Sequence, residues 1–322
     1  MKYRRMGRTG LKLSEISLGA WLTFGDQIDD ETASRILHTA YDEGVNFFDN
    51  ADIYANGRAE VVMGKIIRQL PREALVISSK VFWPTMPGPN GQGLSRKHIM
   101  ESCHASLKRL GLDYVDLYFC HRFDPETPLE EIVRAMDDLV RQGKVLYWGT
   151  SEWRAAQIGA AYGTAGPLGL TPPLVEQPQY NLLVRRIVEG ELVAAAQDLG
   201  FGIVTWSPLR SGLLSGKYNQ GGENSARLAL QRYRWLSGIL TPEALEKTRL
   251  LGEVADGLGV SLAQLAIGWL LRLPQVTSVI TGATRVEQLT ENLRAAEVAG
   301  LLSQEVLQRI ESIVGPPMDP ED

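Results

Sequence analysis

Residues 114–121 read Tyr-Val-Asp-Leu-Tyr-Phe-Cys-His, a short apolar run that stops at a histidine. Two further runs have the same form: Phe-Phe-Asp at 47–49 and Leu-Val-Ile-Ser-Ser-Lys at 75–80. Short, β-branched and aromatic runs bounded by polar sequence read as buried parallel strands. Asp49, Lys80 and His121 end these runs, and Tyr54 lies just past the first. Polar residues from the ends of separate strands converge only when the strands run parallel and share one rim. That is the arrangement at the C-terminal face of a (β/α)₈ barrel.

The rest of the chain repeats the pattern. A hairpin opens it, with Tyr3-Arg-Arg-Met6, a Gly7–Gly10 turn and Leu11-Lys-Leu-Ser14. Strands are expected at 16–19, 47–49, 75–80, 115–120, 145–150, 173–177, 202–206 and 276–282. Helices are expected at 30–44, 58–69, 95–110, 128–142, 153–163, 187–199, 242–258, 261–272 and 285–298. Asp29 or Asp30 can cap the first of these, and Gly44 and Gly143 are stop signals. Eight strand–helix units with no change of composition predict an α/β fold, a closed TIM barrel forming one domain over residues 1–322. A surplus helix at 303–313 is expected to pack across the barrel's side or bottom, before a frayed tail.

Composition narrows the function. Of 322 residues, 44% are hydrophobic and 22% charged, enough to bury a large core, and the net charge is −5. The basic residues are dispersed rather than striped, which argues against a nucleic-acid surface. Cys103 and Cys120 have no C-x-x-C spacing and read as inert buried thiols of a reducing compartment. The N-terminus carries no apolar secretory segment. The longest apolar stretch, 262–271, is too short to span a bilayer. A cytoplasmic protein without membrane insertion is expected. No G-x-G-x-x-G follows a first strand, no P-loop occurs, and His38, His98, His104 and His121 show no H-x-x-x-H pairing, so neither a Rossmann domain nor a metal site is expected.

Asp49, Tyr54, Lys80 and His121 together suit protonation of a carbonyl oxygen. Free tyrosine titrates near ~10, too high for an efficient acid at neutral pH. A lysine ammonium within ~4–6 Å favours the tyrosinate and is expected to lower that value. Asp49 keeps Lys80 charged, and His121 can donate a hydrogen bond to the developing alkoxide. Taken singly, each residue also has an ordinary structural role; their shared place at strand ends favours chemistry.

With Gly-Arg-Thr-Gly-Leu-Lys-Leu-Ser at 7–14, Phe-Phe-Asp-Asn-Ala-Asp-Ile-Tyr at 47–54, Gly-Thr-Ser-Glu-Trp at 149–153, Glu-Gln-Pro-Gln-Tyr-Asn at 176–181, and Thr-Trp-Ser-Pro-Leu-Arg-Ser-Gly-Leu-Leu-Ser-Gly-Lys-Tyr at 205–218, the chain resembles the aldo-keto reductase superfamily over essentially its whole length. Trp-Ser-Pro-Leu followed by Ser-Gly-Lys-Tyr is similar to the branch of potassium-channel β-subunits and their bacterial and plant relatives. The resemblance implies NADP(H)-dependent reduction of aldehydes and ketones, with Asp49, Tyr54, Lys80 and His121 as a catalytic tetrad. It implies a cofactor lying extended across the barrel top, lined by Ala20, Trp21 and Gln27, with Asp49 at the reacting end. Ser151 and Gln177 would hold the carboxamide and Trp206 would stack on the nicotinamide. Ser207, Pro208, Leu209, Arg210 and Ser211 would wrap the pyrophosphate, and Lys217 and Arg227 would clamp the 2′-phosphate. Gly282, Thr284, Gln288, Glu291 and Asn292 would take the adenosine end at a helix N-terminus.

Two departures from the superfamily pattern bear on this. Glu152 stands where many members carry Asn; a carboxylate accepts from the carboxamide NH₂ but cannot donate to its carbonyl. Position 121 is His where channel subunits commonly carry Asn, which favours turnover over the alternative, an NADPH-binding regulatory subunit. The chain also begins almost at the hairpin, without the long N-terminal extension some channel subunits use. The substrate is expected to be a small carbonyl compound meeting Trp21, Tyr54, Trp83 and His121, at an apolar mouth to which Phe82, Phe123 and Trp153 also contribute. Arg122 can meet an anionic group or sit at the surface. Relatives of the branch are often tetramers or larger, so a homo-oligomer is implied.

Overall fold

Burial on both faces explains why the strands read as unbroken apolar runs. The computed structural model describes residues 1–219 and 238–317. An antiparallel hairpin, β1 (Tyr3–Arg5) and β2 (Lys12–Ser14), precedes a closed eight-stranded parallel barrel. The barrel runs in chain order through β3 (Ile16–Gly19), β4 (Phe47–Asp49), β5 (Val76–Val81), β6 (Val115–Cys120), β7 (Val145–Ser151), β8 (Val175–Gln177), β9 (Gly202–Thr205) and β10 (Val276–Thr281). Every residue of these strands except Leu146 and Tyr147 is buried.

The ring closes where Val279, Ile280 and Thr281 register with Ile16, Ser17 and Leu18. Ser278 Oγ donates to the Ser14 carbonyl at 2.7 Å across this seam, and Thr281 Oγ1 to that of Ser17 at 3.0 Å. Arg4 ties the hairpin to the approach of the last strand. Its Nη2 donates to the Leu271 carbonyl and its Nη1 to those of Leu273 and Val276, while Nε pairs with Glu15 at 2.7 Å. Gly7, at φ 53°, lies so close to the barrel floor that a Cβ there would sit 2.2 Å from the Gly200 carbonyl oxygen.

Two apolar layers result. Inside the barrel, Phe47, Val76, Leu117, Phe119, Val175, Val204 and Ile280 pack with Met6 and Leu13 of the hairpin, which plugs the N-terminal end. Outside it, a larger core lies between strands and helices. The helices are α1 (Asp30–Asp42), α2 (Arg58–Ile67), α3 (Arg96–Leu110), α4 (Leu129–Arg141), α5 (Ala155–Leu168), α6 (Val193–Leu199), α7 (Pro242–Gly257), α8 (Leu262–Leu270), α9 (Val286–Arg294) and α10 (Gln304–Val314). Asp29 is the α1 cap, accepting the Thr32 N–H at 2.7 Å. Ser95, Thr241, Ser261 and Ser303 cap α3, α7, α8 and α10 in the same way.

Three helical segments differ from expectation. α5 runs past Gly163 to Leu168 and stops at Gly169 in a left-handed conformation. The segment expected as one helix at 187–199 opens with a π turn, Val188–Leu192, before α6. The expected helix 285–298 divides into α9 and a 3₁₀ stretch, Ala295–Leu301. The surplus helix α10 packs on α7 and is tethered by Arg185, which is 3% exposed and bonds Glu311 and the Gly315 carbonyl. Among the described residues no single helix is long and apolar enough to cross a membrane. Cys103 and Cys120 are free and buried, and burial pushes the Cys103 thiol up to about 12.

Candidate active site

The C-terminal strand ends bring the four sequence-selected residues together. Asp49 ends β4, Lys80 is the penultimate residue of β5, and His121 follows β6, where its N–H continues the ladder to the Val81 carbonyl at 2.9 Å. Tyr54 sits on the 3₁₀ turn Tyr54–Gly57, whose next three residues, Ala55, Asn56 and Gly57, all have positive φ. That left-handed run turns the chain from the rim back into α2.

Lys80 is wholly buried and uses all three of its N–H donors. Nζ donates to Asp49 Oδ2 at 2.6 Å, to the Asn50 carbonyl at 2.7 Å and to Tyr54 Oη at 3.2 Å. Asp49 Oδ1 accepts from Ser78 Oγ at 2.7 Å and from Gln177 Nε2 at 3.0 Å. A buried ion pair persists only when its remaining hydrogen-bonding capacity is met in this way.

Burial lowers the Lys80 pKa, with Asp49 acting in the opposite sense. The Tyr54 pKa lies well above the ordinary value, raised by burial and then by the Asp49 charge. This is opposite in direction to the lowering expected from the ammonium alone: the hydroxyl is held protonated, as a donor must be before it reacts. Burial, Lys80 and Arg122 together push the His121 pKa well down, so its imidazole is neutral. Its Nδ1 is buried without a hydrogen-bond partner. An unpaired acceptor lone pair is the cheaper arrangement, so the single ring proton belongs on Nε2. The Tyr54 and His121 rings meet edge to face at 5.8 Å.

Tyr54 and His121 open into a cleft of about 1360 Å³ across the top of the barrel. Ala20, Trp21, Gln27, Asp49, Ser151, Gln177, Trp206, Ser207, Pro208, Leu209, Ser211 and Lys217 line it, as do Gly282, Thr284, Gln288, Glu291 and Asn292. Trp21 and Trp206 stand edge to face at 5.5 Å on one wall, and Trp83 lies near His121 at 6.4 Å between ring centroids. Sequence reasoning missed Leu22, Thr23, Ile53, Gly212, Ser215, Ala263, Ala283 and Arg285, which also line the cleft. All but Arg285 are small or apolar residues, types that carry no chemical signal in a sequence.

Several selected residues are placed elsewhere. Lys80 and Arg210 are buried and do not border the cleft. Neither does Glu152; its Oε1 accepts from Trp206 Nε1 at 2.7 Å and from the Gln179 N–H at 2.5 Å, so it orients the indole from behind. Phe82 and Phe123 do not line the cleft, and Trp153 is core, fully buried against Phe123 at 4.9 Å. Arg227 lies outside the described residues.

Among the described residues, seven non-glycine positions have positive φ: Leu22, Ala55, Asn56, Glu152, Ser207, Arg210 and Ser211. All seven follow the C-terminal ends of barrel strands. Backbone strain of ~1–3 kcal/mol per residue persists where a site over-determines it. Beneath Tyr54, Asp52 is buried with Oδ2 accepting from Ser102 Oγ at 2.5 Å and Oδ1 unpartnered; burial raises its carboxyl to about 7.

Residues 15–314 match the Aldo/keto reductase family. The chain is 52% identical over 318 residues to an Arabidopsis thaliana protein named as a probable voltage-gated potassium channel subunit beta, covering 98% of this chain and 97% of the relative. An Oryza sativa protein of the same name is 50% identical with the same coverage. A relative from Schizosaccharomyces pombe, named to the same class, is 44% identical over 97% of this chain and 93% of its own.

Proposed function

Since the chain belongs to the aldo/keto reductase family, we propose that it reduces aldehydes and ketones to alcohols with NADPH, Tyr54 giving the proton. The observation that carries this reading is the Tyr54 hydroxyl, fixed by Lys80 Nζ at 3.2 Å beside neutral His121 at the cleft wall.

The residues present suit a dinucleotide. The cleft exceeds the ~300–1,000 Å³ of ordinary small-molecule pockets. It runs from Tyr54 past the left-handed turn at Ser207, Arg210, Ser211 and Gly212 to the N-terminus of α9. Successive backbone N–H groups in such turns, and helix N-termini, favour phosphate. Ser151, Gln177, Trp206, Ser207 and Ser211 would hold the nicotinamide and pyrophosphate, with Lys217 near the 2′-phosphate. Bound there, NADPH supplies hydride to the substrate's carbonyl carbon.

Tyr54 donates its proton to the carbonyl oxygen as negative charge develops there. Lys80 stabilises the tyrosinate left behind, and Asp49 keeps Lys80 charged and in place. His121 offers its Nε2–H to the same oxygen, a contact that strengthens as the alkoxide forms. Glu152 holds the Trp206 indole.

A second reading, a cofactor-binding regulatory subunit of a potassium channel, is favoured by the names of the plant relatives. Tyr54→Phe decides between them. Proton donation commonly contributes ~10²–10⁴-fold, so kcat with aldehydes should fall by at least ~100-fold while NADPH binding is retained. A variant keeping a tenth of wild-type kcat removes Tyr54 as the donor. A wild type that binds NADPH but turns over no carbonyl supports the regulatory reading.

A further inference from the structure

The cleft wall beside His121 carries a guanidinium with most of its donors unused. Arg122 is half-buried and lines the cleft. Its Nη1 donates to the His121 carbonyl at 2.6 Å, and its guanidinium lies 5.4 Å from the Trp83 ring centroid. Those two contacts fix the direction of the side chain. Nε and Nη2 have no protein partner among the described residues.

Five other sheltered arginines of this protein differ in one respect. Arg4, Arg72, Arg109, Arg185 and Arg272 are buried or half-buried, and each pairs with a carboxylate: Glu15, Asp116, Glu60, Glu311 and Glu189 respectively. Arg122 has no such partner among the described residues. Withdrawing a charge from water without a counter-ion is unfavourable, and a site that keeps one is suited to a ligand that brings the opposite charge. The Nε–Nη2 edge of a guanidinium matches the two oxygens of a carboxylate. One uncompensated positive charge suits one carboxylate. Trp21 and Trp83, the latter 38% exposed, offer apolar surface for the rest of the molecule.

Resting on the carbonyl-reductase reading, we infer that the preferred substrates are oxo acids, carbonyl compounds whose own carboxylate is gripped by Arg122 while the carbonyl meets Tyr54 and His121. Arg122 thereby determines specificity. A charge-assisted pair of this kind corresponds to about 10- to 100-fold in affinity.

The test compares 3- and 4-formylbenzoate, each with its methyl ester, as substrates of the NADPH-loaded protein. Wild type should favour the acid by kcat/KM at one of the two spacings. In Arg122→Leu the acid-to-ester ratio should fall about 10- to 100-fold, and Arg122→Lys should retain part of it. Reading the ratio within each protein cancels any general loss of activity. An unchanged ratio in Arg122→Leu overturns the inference. Benzoate against benzamide binding, followed by tryptophan fluorescence, gives a second readout that needs no turnover. Tighter benzoate binding in wild type, lost in Arg122→Leu, supports the role of Arg122; equal binding of the two probes overturns it. Absence of turnover with every aldehyde would instead count against the reductase reading, and the fluorescence result would still decide for or against the arginine.

Discussion

Replacing Asp49 by Asn leaves the shape of the Lys80 pocket and removes the carboxylate charge paired with its ammonium. All three Lys80 donors are engaged, two of them at 2.6 and 2.7 Å, and the side chain is 0% exposed. Asn cannot serve both sides: with Oδ1 toward Ser78 and Gln177, its NH₂ faces the ammonium. Removing one partner of a buried pair costs about 3–5 kcal/mol. The pH dependence carries the diagnosis. Burial already lowers the Lys80 pKa, and loss of Asp49 lowers it further. An unfolded lysine titrates near ~10.4. Between the folded value and that one, the unfolded chain binds more protons, so stability of the variant rises with pH by up to ~1.4 kcal/mol per unit. Urea unfolding at pH 6, 7.5 and 9 should therefore show a deficit that is largest at the lowest pH and shrinks on raising it. Adding Lys80→Met should recover much of the loss at pH 6, since no buried charge remains. A deficit below 1 kcal/mol that is flat with pH would refute the assignment of a charged, dependent Lys80.

Three further outcomes are expected. Because the His121 pKa is pushed well down, kcat measured from pH 5.5 to 8 should show no imidazole limb, and His121→Asn should lower kcat more than it changes NADPH affinity in a fluorescence titration. Lys217→Ala should weaken NADPH by about 10-fold or more and spare NADH; equal losses would place the 2′-phosphate contact elsewhere. The Asp52 carboxyl is raised to about 7 in the fold, against an unfolded value near ~3.9; its contribution is therefore intact below the unfolded value and is lost as pH rises to about 7, and Asp52→Asn should flatten that part of the stability-versus-pH curve from urea unfolding.

The strands and their rim were legible because parallel strands buried on both faces leave apolar runs, and Asp49, Lys80 and His121 end those runs. The depth to which the polar rim residues are buried was not legible. That burial is what raises the Tyr54 pKa despite a lysine at hydrogen-bond distance. The burial of Trp153 and the partner of Glu152 were not legible for one reason: Glu152 has φ 59°, a conformation no residue type there announces. That kink sends the Glu152 carboxylate to Trp206. It also turns Trp153 into the core, where the Trp153 N–H donates to buried Glu176 at 3.2 Å. The α5 stop was misplaced because Gly163 and Gly166 have open space around them and impose no break, whereas Gly169 adopts the left-handed conformation that does.

The seam between β3 and β10 has a bearing on how the protein is made. Synthesis proceeds at ~5–20 residues per second, with earlier segments free to fold first. Seven strands can assemble early, but the eighth is the last to leave the ribosome. Until Val276 emerges, β3 and β9 are bare edges that invite pairing with other chains, and Arg4 lacks the Leu271, Leu273 and Val276 carbonyls that lock the hairpin. Translation stalled or terminated short of that point leaves the sheet open and its plug unfastened, with edges of the kind that template aggregation. Gly282, Thr284 and Gln288, at one end of the cleft, arrive only after the ring can shut. The fold thus defers a complete binding cleft until β10 and α9 have been translated.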